Sequence, residues 1–298
     1  MSDKLEIFNE TIGICILNYH ASNHVKELLK SLEKLKNYKT KVVIVDNSND
    51  QIEFEKLSSI ISKYENVKLI KSPKNLGYYK GNLIGLKYLN NLGIKYSFIV
   101  NPDIRVKDWD LIIYNLLNKF IKISKEYELF SIGPYVNNAA DPSSPLLRIN
   151  SLMEIIYNVL YPISYLIVRL IMKKKSKKEG FVFAVEGSFF LCDIKKYISI
   201  EQLFENVFLY REEKFFGEIS KRNNWKNYYY PKVSVQHLHK PRNLKDLKNN
   251  SFYKKSTKEF YKKFYPDRKL LISIILYTYE YRIFIKKMII KILAFFRK

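Results

Sequence analysis

The sequence predicts an α/β protein: a mostly parallel sheet flanked by helices, followed by a basic helical tail. Three observations lead there. Short β-branched runs alternate with helical apolar patterns from Ile12 to Val100. Polar residues stand directly after those runs, at Asn18, Asp46 and Asn101-Pro102-Asp103, where parallel sheets place their ligands. Residues 241–298 then carry 16 Lys and Arg against Asp246, Glu259, Asp267 and Glu280.

Ile12–Leu17, Lys41–Val45, Val67–Lys71 and Ser97–Val100 read as strands, because each is short and largely apolar. Val25–Leu35, Ile52–Tyr64 and Tyr79–Leu92 repeat apolar residues every three or four positions, the period of a helix with one buried face. Strand, helix, strand in this order implies parallel pairing with both sheet faces covered. Residues 151–172 are apolar but interrupted by Glu154, Pro162 and Arg169, and Lys173–Lys178 follow. A membrane span needs about 20 predominantly apolar residues. The stretch therefore reads as a helical insertion over 151–178, lying on a membrane or packing on the core. Phe181–Val185 and Ser188–Leu191 return to strand character.

This reading divides the chain into a domain over 1–240 and a tail over 241–298. In the tail, Leu271, Ile274, Ile275, Thr278, Tyr281, Ile285, Met288, Ile289, Ile292 and Phe296 are assigned to one helical face. Arg282, Lys286, Lys287, Lys291 and Lys298 are assigned to the other. Such a basic amphipathic helix suits an anionic membrane surface, and a helix docked on the domain is the alternative.

Composition bounds the function. With 47% hydrophobic residues in 298, the chain can bury a large core, which excludes wholesale disorder. A net charge of +23 favours polyanionic partners: nucleic acid, an anionic membrane or a phosphorylated substrate. Twenty-four tyrosines could stack on bases, but no recognition helix, zinc finger or RNA-binding signature accompanies them, and no nucleic acid is expected. Cys15 and Cys192 lie in apolar runs and read as buried free thiols. Met1–Glu10 contains Asp3, Glu6 and Glu10 and no apolar core, so no signal peptide is expected and the location reads as cytoplasmic.

The chemistry-bearing fragments occur in a fixed order. Asn18-Tyr19 ends the first strand, and Asp46-Asn47-Ser48 ends the second. Asn75-Leu76-Gly77 opens a helix that continues through Gly81 and Asn82, offering close backbone approach and free N–H groups to an anion. Asp103 carries a hard oxygen side chain just after a strand, and His237 follows Pro231 by six residues, with His239 two residues on as its competitor. Glu212-Glu213 supplies adjacent carboxylates suited to proton transfer.

In order and spacing these fragments resemble the family-2 glycosyltransferases, enzymes that move a sugar from a nucleotide diphosphate to a hydroxyl. The resemblance spans roughly residues 11–240 and implies a GT-A fold with a Rossmann-like sheet. It implies that Asp46 accepts from the nucleotide base, and that Asn18, Tyr19, Asn47, Asn75, Gly77, Asn82 and Asn101 belong to the donor site. Asp103 and His237 would hold a divalent cation, Mg²⁺ or Mn²⁺. Glu213 would be the catalytic base, with Glu212 orienting the acceptor or substituting for it. Two departures stand out. Asn101 replaces the first acid of the usual Asp-x-Asp, as in rhamnosyltransferase-like members, and Glu213 stands where aspartate is usual.

The function this implies is inverting transfer of rhamnose or a hexose from a dTDP- or UDP-sugar. The acceptor would be a lipid-linked glycan of bacterial surface polysaccharide synthesis, and the enzyme peripheral on the cytoplasmic membrane face. The competing reading is a membrane-surface or nucleic-acid binding protein without transferase activity.

Overall fold

The computed structural model describes residues 11–138, 145, 146, 148–238 and 250–295. Met1–Glu10, His239, the boundary at 240 and Phe296–Lys298 lie outside the described residues.

The first half follows the expected alternation: β1 (Ile12–Asn18), α1 (Ser22–Leu32), β2 (Thr40–Asp46), α2 (Gln51–Ile61), β3 (Val67–Lys71), α3 (Gly77–Asn91) and β4 (Tyr96–Val100). β3, β2, β1 and β4 lie side by side, all parallel. Ile14 and Ile16 enter the core on one face while Cys15 enters the core on the other; Val42 and Ile44 alternate likewise with Val43 and Val45. A strand buried on both faces reads as an unbroken apolar run, which is why these strands are visible in the sequence. Both cysteines are buried and unpaired.

Beyond β4 the sheet becomes mixed. β5 (Ile104–Arg105), α4 (Trp109–Ser124), β6 (Leu129–Asn138), α5 (Ser151–Val159), α6 (Ile163–Lys175), β7 (Gly180–Val182), β8 (Phe189–Asp193), α7 (Ile194–Ser199), α8 (Glu212–Arg222) and β9 (Lys226–His237) follow. The sheet order is β3-β2-β1-β4-β8-β6-β9-β5, with β7 also on β9. β8 runs antiparallel to β4, which brings the turn before β8 beside the carboxyl end of β4. β5 pairs Ile104 with His237 and so carries the end of β9 to the loop after β4.

α5 and α6 form the insertion, and α9 (Asn250–Phe264) and α10 (Lys269–Phe295) the tail. The structure resolves the alternative left open for the tail in two parts. α9 docks: Phe260, Tyr261 and Phe264 are buried in the core with Phe215. The first half of α10 docks too, through Ile272, Ile275, Thr278 and Tyr279, and Asn158 of α5 donates to Thr278 Oγ1 at 3.3 Å. The single apolar face assigned from sequence needs correction. Ile275 and Thr278 turn inward, whereas Ile274, Tyr281, Met288 and Ile292 are exposed. α10 is apolar on two faces, so residue spacing alone does not select the buried one. Exposed apolar residues also line α5 and α6, including Leu152, Ile156, Ile163, Leu166 and Leu170. Among the described residues, no helix is long and apolar enough to cross a membrane.

Candidate active site

The last residues of β1 and β2, Asn18 and Asp46, are register partners and are fully buried. Asn18 Nδ2 donates to Asp46 Oδ1 at 3.1 Å, to Ser48 Oγ at 3.3 Å and to Glu53 Oε1 at 3.1 Å. Glu53 also accepts from Ser22 N and Oγ. Burial works against its charge, but these donors hold its carboxyl below the usual range. Asp46 Oδ2 is buried with no hydrogen-bond partner. Asn18 and Asp46 are buried next to Leu17 and Asn47, which line the adjacent cleft of about 490 Å³; its walls also include Tyr19, His24, Asn75, Tyr78, Asn101 and Asp103.

Asn47 acts as a staple. Its Nδ2 donates to Asn75 Oδ1 at 2.9 Å and Gly77 O at 3.2 Å, while its Oδ1 accepts from Leu76 N at 2.9 Å. Gly77 N donates to Asn75 Oδ1, and Tyr78 N to Phe208 O. The amides expected to be free for an anion at the start of α3 are therefore committed at these three residues. Gly77 has φ of 78°, and a Cβ there would lie 1.9 Å from Phe208 O, so only glycine fits. Gly81 serves packing: its Cβ would meet Leu17 Cδ1 at 2.5 Å, so the close approach it permits is of helix to strand. Asn82 is buried away from the cleft wall, with Nδ2 on Tyr78 O and Oδ1 facing Cys15 Sγ.

Asp103 and His237 meet at the cleft. Leu238 N donates to Asp103 O at 3.0 Å beside the Ile104–His237 pairing, and His237 Nε2 lies 3.2 Å from Asp103 Oδ1. On the other side His237 Nδ1 is 3.9 Å from Glu186 Oε1. Burial disfavours the imidazolium, but Asp103 and Glu186 outweigh it and raise the His237 pKa. Two donors on one octahedral ion with bonds of ~2.1 Å stand about 3 Å apart, so the Asp103–His237 spacing fits a divalent cation. Among the described residues no cluster of three such ligands is preassembled, which leaves further positions to substrate or water.

Glu186 escaped the sequence reading. It precedes Gly187 and Ser188 in the turn before β8, a polar turn between two strand-like runs, and no motif spacing marks it. Burial pushes its carboxyl up to about 7, against the pull of Ser188 and His237. Gly187 ties it to the two glutamates: Gly187 N donates to Glu213 Oε1 at 3.3 Å, and Tyr78 Oη donates to Gly187 O. Glu212 and Glu213 open α8. Glu212 is buried with Oε1 unpartnered, and burial followed by repulsion from Glu213 pushes it up to about 8. Burial also raises Glu213, while the Gly187 amide favours its charged form. Before them, Tyr210 and Arg211 both have positive φ, of 72° and 74°, a strained backbone that turns α8 into the site.

That strain is held by a buried ion cluster. Arg211 and Lys214 both pair with Glu154 of α5, which also accepts from Tyr261 of α9 at 2.9 Å. Burial opposes the Glu154 charge, but the two cations hold its pKa far below the usual range. The insertion, the start of α8 and the tail therefore share one electrostatic knot.

A family model described as Glycosyl transferase family 2 matches residues 11–108, which include Asn18, Asp46, Asn75 and Asp103 but not Glu186, Glu213 or His237. No curated protein matches the chain in sequence. Among solved structures, the chain is similar to mannosyltransferase PcManGT from Pyrobaculum calidifontis in complex with GDP-Man and Mn²⁺. The TM-score is 0.53 at 11% identity, covering 90% of this chain and 69% of that one. It is also similar to GalNAc-T7 with UDP, GalNAc and Mn²⁺, at TM-score 0.56 and 16% identity, covering 92% of this chain and 54% of that one. A third is mannosyl-3-phosphoglycerate synthase from Rubrobacter xylanophilus, at TM-score 0.53 and 10% identity, covering 89% and 77%. At these identities the likeness is one of fold, and that fold is GT-A.

Proposed function

We propose that the protein is an inverting glycosyltransferase using a dTDP- or UDP-sugar. The observation that carries this reading is the sequence of contacts across the site: Asp103 to His237, His237 to Glu186, and the adjoining Gly187 to Glu213. These contacts support a cation held by Asp103 and His237 beside the cleft, with the Glu213 carboxylate hydrogen-bonded to the turn that carries Glu186. The family match and the nucleotide-sugar complexes of the similar structures support it.

In the proposed step the acceptor hydroxyl oxygen bonds to the anomeric carbon while the carbon–oxygen bond to the diphosphate breaks. The bonding pair leaves with the nucleoside diphosphate, and Glu213 takes the hydroxyl proton. A divalent cation held by Asp103 and His237 would supply positive charge to the departing diphosphate. Asn101, Asn75 and Tyr19 lie in the cleft wall where the donor would rest, and Asn18 and Asp46 fix the strand ends next to it. Glu212, buried and raised toward the neutral form, positions its neighbour rather than accepting the proton. The acceptor is a lipid-linked glycan and the working location an anionic membrane surface. The exposed apolar residues of α5 and α6, next to Lys173, Lys174 and Lys175, support that placement.

Incubation with UDP- and dTDP-sugars tests the reading through release of the nucleoside diphosphate. Release that disappears in Asp103→Ala, with the circular dichroism spectrum unchanged, is the expected outcome. A folded protein that neither releases nucleoside diphosphate nor binds UDP or dTDP contradicts it.

A further inference from the structure

A second cavity lies beside Glu213, away from the donor cleft. It encloses about 260 Å³, and its walls include Tyr157 of α5, Arg211 and Lys214 at the start of α8, Tyr253 of α9 and Arg282 of α10. Glu213 is the one glutamate of its pair that reaches this wall, so the proposed base faces whatever enters here.

The charges in the cavity do not cancel. Arg211 and Lys214 both pair with Glu154, which leaves that cluster one positive charge in excess, and Glu213 is the other carboxylate on the wall. Arg282 is half-buried, lying 5.2 Å from the ring centroid of Tyr157 and 4.8 Å from that of Tyr279, and no carboxylate pairs with it among the described residues. Tyrosine faces stabilise a guanidinium without satisfying its five N–H donors, which match phosphate geometry. The helices that supply Tyr157 and Arg282 are apolar and exposed on their outer sides, at Ile156 (46%) and Phe284 (63%) among others. An occupant of this cavity therefore meets a cation inside and an apolar surface at its edge.

We propose that this cavity is the acceptor site and that it takes a phosphate-bearing amphiphile, its anionic group held by Arg282 and its apolar chain lying along the outer faces of α5 and α10. The word acceptor rests on the transferase reading; the ligand class rests on the cavity alone. The surface commits the apolar chain to a lipid, because its exposed residues are aliphatic and aromatic, Ile156 and Phe284 among them, and Lys173, Lys174 and Lys175 end the neighbouring α6. Glu154 then has a second effect: by holding Arg211 and Lys214 in ion pairs it leaves Arg282 as the wall cation without a carboxylate partner among the described residues.

Isothermal titration with decyl phosphate below its micelle concentration tests this, with decanol and inorganic phosphate as the other arms. Decyl phosphate is expected to saturate one site at least tenfold more tightly than either. Arg282→Met is expected to lose at least tenfold, with Arg282→Lys intermediate. Equal binding of inorganic phosphate would make this a free-anion site, and equal binding of decanol an apolar groove; either overturns the proposal. So does unchanged affinity in folded Arg282→Met, and the wild-type series decides even if that variant misfolds. A UDP or dTDP melting shift on the same wild-type protein separates the two claims. Alkyl phosphate binding without a nucleotide shift overturns the transferase reading and leaves the cavity standing, whereas the reverse overturns the cavity alone.

Discussion

His237 Nε2 stands 3.2 Å from Asp103 Oδ1, and the backbone enforces that meeting through the Ile104–His237 pairing and the Leu238 N to Asp103 O bond. Because strand pairing fixes the two side chains before any ligand arrives, replacing either should spare the fold and remove the cation. Asp103→Ala and His237→Ala are each expected to lower turnover by roughly 100-fold or more, the scale of losing one stabiliser of developing charge. Steady-state release of nucleoside diphosphate at several Mn²⁺ concentrations checks it. Activity that stays near normal in Asp103→Ala would remove the cation from the account.

Glu213 and Glu212 should separate cleanly. Glu213→Gln is expected to lose about 10²–10⁴-fold in transfer while still binding nucleotide, as befits a lost general base. Glu212→Gln should lose much less, because that carboxyl is already held toward its neutral form. If Glu212→Gln is the dead variant, the base is misassigned by one residue.

The same pair sets a pH dependence of stability. Glu212 is pushed from the ordinary carboxylate range to about 8, so the folded protein binds more protons than the unfolded chain between those values. Stability then falls as pH rises through that window. Glu212→Gln mimics the protonated carboxyl, so its melting temperature should exceed that of the wild type increasingly from about pH 5 to pH 9. Parallel melting curves across that range would show that Glu212 carries no such shift.

Asn18, Asp46 and Asn101 are legible in the sequence because each ends or directly follows a strand that is apolar on both faces. Asn18 and Asp46 stand out against Ile12–Leu17 and Lys41–Val45. Their depth does not stand out: a strand-end residue can line a cleft or lie buried next to it, and only the three-way bonding of Asn18 decides for burial. Glu186 is invisible for a different reason. Its importance comes from β8 running antiparallel to β4, a long-range pairing that no local spacing reports. α10 misleads because apolar residues occupy two of its faces, one facing α5 and one facing solvent.

Glu154 tests whether insertion and tail belong to the working domain. Glu154→Gln leaves Arg211 and Lys214 buried without a counter-charge, a loss expected to cost about 3–5 kcal/mol. A lowered urea midpoint with an unchanged slope reads that loss directly. Wild-type stability in this variant would mean the cluster is not the knot described here.

Membrane association should depend on the outer face of the insertion. Leu166 and Leu170 are 55% and 69% exposed on α6, beside the Lys173–Lys175 run. Changing both leucines to glutamate removes apolar burial and adds like charge to an anionic surface, so co-sedimentation with phosphatidylglycerol vesicles should drop by at least about tenfold. Unchanged sedimentation would assign any membrane contact to another surface.

A melting-temperature panel with UDP, dTDP, GDP and ATP, each with and without Mn²⁺, reads donor binding directly. A ligand bound only by the folded state raises the melting temperature, and no acceptor is needed for the reading. A shift with UDP or dTDP that requires Mn²⁺ and vanishes in Asp103→Ala is the predicted result. A folded protein that none of the four nucleotides stabilises, with or without the cation, would contradict the transferase account.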